Sequence, residues 1–102
     1  MAEFLTVAKV GDIGEGEAIA IDVDGTPVAV ALVDGRYYAF DDTCTHRQCS
    51  LADGEIDGSA VMCPCHGSQF DVTSGDVLNG PATEPVASYP IRVEGEAIQI
   101  EF

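Results

Sequence analysis

With 102 residues, the chain fits one domain with a modest core and leaves no room for a second, catalytic one. Eighteen Asp and Glu oppose four Lys and Arg, a formal charge of −14. Nucleic acid and anionic membrane surfaces are thereby excluded as partners; the acidity suits either a basic docking face on another protein or a generally soluble surface. The sequence shows no basic region leading into an apolar one near its start and no run of 18 apolar residues, so neither export nor a membrane anchor is expected and a cytoplasmic location is.

In chain order, Val- and Ile-rich runs predict strands at Leu5–Lys9, Glu17–Val23, Pro27–Val33, Arg36–Phe40, Ala60–Met62, Gln69–Asp71, Ala87–Val93 and Ala97–Phe102. Turns are expected between them at Asp24-Gly25, Asp34-Gly35, Asp53-Gly54, Asp57-Gly58, Ser74-Gly75 and Glu94-Gly95. No helical period of any length appears, so the fold class is all-β. Val28, Val30, Ile91, Val93, Ile98 and Ile100 alternate with polar or small neighbours and are expected in the core.

All four cysteines and both histidines fall in two short segments, Cys44-Thr45-His46-Arg47-Gln48-Cys49 and Cys63-Pro64-Cys65-His66-Gly67-Ser68. Three readings are open: cysteines and histidines that merely pack; a structural zinc site of two thiolates and two imidazoles; or a mixed Cys/His iron-sulfur cluster. A four-ligand zinc site leaves Cys49 and Cys65 without a task. Pro64 and Gly67 shape a tight loop that lets backbone amides point at sulfur.

The segments CTHRQC and CPCHGSQFD resemble the two ligand loops of the Rieske family, and Gly80-Pro81-Ala82 resembles its third, proline-containing cluster loop. The likeness extends over essentially the whole chain. It implies an antiparallel β-sandwich base, at about 1–40 and 83–102, carrying an inserted cluster-binding subdomain at about 41–82. It also implies one 2Fe-2S cluster, with Cys44 and Cys63 on one iron, His46 and His66 on the other, and a disulfide between Cys49 and Cys65. Gly67, Pro64, Gly80 and Pro81 would belong to the loops around the cluster. By the same resemblance Ser68 stands where high-potential members bond a bridging sulfide, whereas Phe70 replaces their tyrosine.

Two thiolates, two sulfides and two ferric ions sum to zero, so the oxidised holoprotein would keep its charge of −14 and reduction would add one negative charge. Exchanging two thiolates for neutral imidazoles makes an electron easier to accept, and Rieske centres as a class lie at about −150 to +300 mV against about −400 mV for plant-type ferredoxins. The potential is expected to fall as pH rises through deprotonation of His46 and His66, because a ferric ion acidifies its imidazole ligands.

The resemblance thus implies a one-electron carrier, most like the ferredoxin component of a ring-hydroxylating oxygenase, working as a monomer. It would receive electrons from a flavin-dependent reductase and deliver them to a terminal oxygenase, with docking near His46 and His66. Alternatives are a subunit of a quinol- or arsenite-oxidising type complex, favoured by Cys49, Cys65 and Ser68, and a zinc-binding structural module. Catalysis at a separate mononuclear iron is rejected, since such iron needs two further histidines and a carboxylate and the sequence has no spare histidine.

Overall fold

Two Asp-Gly pairs set the central hairpins. Strand β2 (Glu17–Val23) turns through Asp24-Gly25 into β3 (Thr26–Val33), which turns through Asp34-Gly35 into β4 (Arg36–Asp41). In both turns the two residues have positive φ, 50° and 85° in the first, 53° and 75° in the second. This geometry matches the right-handed twist of the flanking strands, and Asp-Gly adopts it at low cost. The Glu15 carboxylate fixes the second turn by accepting the N–H of Asp34 at 2.7 Å and of Gly35 at 2.8 Å.

The computed structural model describes residues 3–44, 49–65, 67–80 and 84–101, and the molecule is all-β with three antiparallel sheets. One sheet has the order β2-β3-β4-β9, where β9 is Ser88–Tyr89. A second orders β1 (Phe4–Lys9), β11 (Ala97–Glu101) and β10 (Ile91–Glu94). The third runs β5 (Glu55–Asp57), β6 (Ala60–Met62), β7 (Gln69–Asp71), β8 (Val77–Asn79). No helix among the described residues is long and apolar enough to cross a membrane.

Strand β3 is buried on both faces, which explains its nearly continuous apolar run VAVALV. Val28 and Val30 face the sandwich core with Ile13, Ala39, Ile98 and Ile100. Ala29, Ala31 and Val33 face a second core with Phe40, Leu51, Val61, Phe70 and Val72, which also contains Cys44 and Cys63. Small side chains on that face let the third sheet approach closely. Each fully buried Val or Phe contributes about 1.5–3 kcal/mol, so the two cores hold the third sheet to the other two through one shared strand.

Four sequence expectations need correction. The strand expected over Ala87–Val93 breaks at Pro90: β9 joins β4, and β10 joins β11 in the other sheet. Proline has no N–H to continue a ladder, so the chain changes sheets there. Val93 is 45 % exposed rather than core, because it lies near the end of the edge strand β10. Strands β5 and β8 were not expected, being three residues each with little alternation to read. Asp53-Gly54 is no hairpin turn: Asp53 ends a short 3-10 helix, Leu51–Asp53, and Gly54 is extended with φ −84°.

Candidate metal centre

Each of the two Cys/His loops is closed by the same device. The Cys44 N–H donates to the Cys49 carbonyl at 3.0 Å, and the Cys63 N–H donates to the Ser68 carbonyl at 2.7 Å, five residues onward in both cases. The first loop leaves β4 and is pinched by an antiparallel bridge between Thr43 and Ser50. The second connects β6 to β7 beyond the pair Met62 and Gln69. Within it the Gly67 N–H donates to the Cys63 carbonyl at 3.1 Å, with Gly67 at φ 78°, a conformation that other residues adopt reluctantly.

Cys44 and Cys63 are each only 2 % exposed, and neither belongs to a disulfide. Cys49 and Cys65 are bonded to each other, with Cα atoms 6.5 Å apart. The sulfurs of Cys49, Cys63 and Cys65 lie within 4.8 Å of one another. Since a disulfide sulfur is a poor ligand, the donors on offer among the described residues of the two loops are the two reduced thiols, one from each loop, held in an apolar core. This donor set fits a cluster-bearing iron, for which soft thiolates are the preferred ligands. His46 and His66, expected to ligate the second iron, lie outside the described residues, as does Pro81.

Of the other expected site residues, Pro64 is exposed, Gly67 half-buried and Gly80 exposed at the end of β8, while Ser68 is fully buried. Phe70 is fully buried in the same core as both reduced cysteines.

Reading the sequence missed Asp42, a buried carboxylate two residues before Cys44. Its side chain accepts the Ala52 N–H at 2.8 Å and its carbonyl accepts the Leu51 N–H at 2.7 Å, which seats the 3-10 helix that follows the first loop. An Asp-Asp pair before CTHRQC looks like surface acidity, so nothing in the sequence marks it. Its neighbour Asp41 accepts a hydrogen bond from the Tyr89 hydroxyl. Burial, reinforced by that bond and by the carboxylate's charge, pushes the Tyr89 phenol up to about 12. This pair fastens the start of the first loop to β9.

The fold and site define a small all-β protein in which two matched loops converge on a pair of buried thiols. Residues 3–90 match the Rieske [2Fe-2S] domain model, and the chain belongs to the Rieske family. One relative is the ferredoxin component of the naphthalene 1,2-dioxygenase system of Pseudomonas aeruginosa, 36 % identical over 89 % of this chain and 88 % of that protein. The structure of the Sphingomonas yanoikuyae B1 ferredoxin superposes with a TM-score of 0.93 at 32 % identity, covering 98 % of this chain and 99 % of that one. A chain in the complex of reduced oxygenase and oxidised ferredoxin in carbazole 1,9a-dioxygenase is also 32 % identical, with a TM-score of 0.91 over 96 % of this chain and 92 % of the other. Family membership makes the cofactor one Rieske-type 2Fe-2S cluster.

Two substitutions are expected to move the potential in opposite directions. A hydrogen bond to a charged acceptor contributes about 1.5–3 kcal/mol, and one-electron couples convert at about 59 mV per tenfold change. With Ser68 donating to a bridging sulfide, as the family resemblance implies, Ser68→Ala should lower the midpoint by up to about 60–130 mV, since a donor to sulfur favours the more negative reduced state. Phe70→Tyr should raise it by a comparable or smaller amount. Protein-film voltammetry on the three proteins measures both, and unchanged midpoints in the two variants would remove these roles.

Proposed function

We propose that this protein is a one-electron carrier that accepts an electron from a flavin-dependent reductase and passes it to a terminal oxygenase. The observation that carries the reading is the near-complete mutual coverage with ferredoxins, 98 % of this chain and 99 % of the Sphingomonas protein, together with the two buried, reduced thiols at the loop ends. Cys44 and Cys63 would hold one iron and His46 and His66 the other. When bound, the cluster supplies a site for one electron. The chain's own residues bury the thiolate side, join the loops through Cys49 and Cys65, and orient Ser68. The relative found in complex with an oxygenase supports that class of acceptor. A cytoplasmic location and docking near His46 and His66 belong to the same proposal.

Anaerobically purified protein should contain two irons and two acid-labile sulfides per chain, consistent with a single cluster. Reduction should produce an electron paramagnetic resonance signal, and the reduced protein should then reduce an oxygenase component. Stoichiometric zinc without sulfide would overturn the reading. The Cys49–Cys65 bond favours one second reading, a subunit of a quinol- or arsenite-oxidising type complex. A strongly positive midpoint would select that reading, and a value near or below zero the oxygenase ferredoxin.

A further inference from the structure

Strand β8 pairs with β7 through a bulge. Asn79 lies opposite Gln69 and Val77 opposite Phe70, so Leu78 is the extra residue with no partner across the ladder. Bulges redirect side chains and gather next to functional sites. Here Val77 packs against the core that holds Cys44 and Cys63, whereas Leu78 is 52 % exposed, the most exposed of the large apolar side chains among the described residues.

The exposed leucine also sits beside the cluster loops. Gln69, across from Asn79, directly follows Ser68, the residue that closes the second loop onto Cys63. Two residue rises and one strand spacing separate Leu78 from that closure, roughly 10 Å. Acidic side chains flank it on its own edge of the sheet: Asp76 is exposed two residues before it, and Glu84 is exposed two residues before Val86, whose N–H donates to the Gly75 carbonyl; Arg47 is the only Lys or Arg between positions 41 and 80. An apolar knob in an acidic field fits a protein face with an apolar recess and a basic rim.

We propose that Leu78, turned outward by the β8 bulge, is the apolar anchor by which the oxygenase component docks on the cluster end of this protein. The inference rests on the carrier reading above and names the residue through which it acts. Charge complementarity brings the partner in, and the leucine side chain, burying its remaining exposed half, holds it long enough for transfer.

The test uses reduced holoprotein mixed in a stopped-flow instrument with two oxygenase components, those of the naphthalene 1,2-dioxygenase and carbazole 1,9a-dioxygenase systems. With whichever accepts electrons from the wild type, Leu78→Ala should lower the second-order rate about five- to tenfold, as expected for losing half the burial of a leucine. Leu78→Asp should lower it further. Midpoint potential and cluster absorbance should stay at wild-type values in both variants. Val93→Ala, which removes an exposed apolar side chain from the base, should leave the rate unchanged. Equal rates for wild type and both Leu78 variants overturn the anchor while leaving the carrier reading intact. A shifted potential in Leu78→Ala also overturns it, since the residue would then act on the cluster. Failure of the wild type to reduce either oxygenase counts against the carrier reading, and the anchor falls with it.

Discussion

Replacing both Cys49 and Cys65 by serine is expected to cost about 3 kcal/mol of unfolding free energy, the chain-entropy value for a cross-link that spans a loop of about 15 residues. The two cysteines are 16 positions apart, and for a domain of this size the loss corresponds to a fall in Tm of roughly 10–20 °C. The backbone bonds and bridges that close the two loops each act within one loop, whereas this bond joins one loop to the other, so it restricts the relative position of Cys44 and Cys63 before any cluster arrives. Both cysteines must be changed together. Cys49→Ser alone would leave a thiol at Cys65 near Cys63, whose sulfur lies within 4.8 Å of both disulfide sulfurs, and that thiol could capture iron wrongly. Thermal unfolding of the double variant and mass spectrometry of the unreduced wild type check this. An unchanged Tm, or two alkylatable thiols beyond Cys44 and Cys63 in the wild type, would contradict it.

Chemistry at the loops was legible because it depends on residue types packed closely in sequence, and the hairpins were legible because Asp-Gly at 24–25 and 34–35 specifies a turn with two positive φ values. Other features depended on what approaches from elsewhere in the chain. Strand β3 is apolar on both faces because the third sheet covers one of them, and alternation alone cannot distinguish that from a half-buried strand. Asp42 gains its role from Leu51 and Ala52, nine and ten residues on, which lie on the far side of the first loop. Leu78 looks like an ordinary strand residue until the offset pairing of β7 and β8 leaves it without a partner. Val93 shows the converse error: a pattern suited to the core at the end of an edge strand, where it is left largely exposed.

Gly54 was the most misleading of these positions, and its replacement by alanine is expected to be strongly damaging. Asp-Gly reads as a turn, yet the backbone at Gly54 is extended, at φ −84°, and any L-residue can adopt that conformation. Glycine is required there for space, because an added Cβ would overlap the Met62 carbonyl, which is backbone and cannot swing aside. Met62 ends β6 and immediately precedes Cys63, so relief of the overlap must displace the strand that positions a reduced thiol of the site. On the other side the Gly54 N–H donates to the Leu51 carbonyl at 3.0 Å, and Leu51 is itself seated by Asp42, so Gly54 has little freedom to retreat. Overpacking of this kind costs about 3 kcal/mol or more when backbone must move. Gly54→Ala should therefore lower both Tm and the iron retained per chain after purification. Gly58→Ala provides the comparison: it sits in the adjacent turn at φ 60° with open space around a Cβ, so only conformational strain of about 1 kcal/mol is expected, with full iron content. Iron analysis and thermal melts on the two variants separate these outcomes. Wild-type iron and Tm in Gly54→Ala would mean that β6 can yield without disturbing Cys63, and the close approach at Gly54 would then have no part in positioning the cluster.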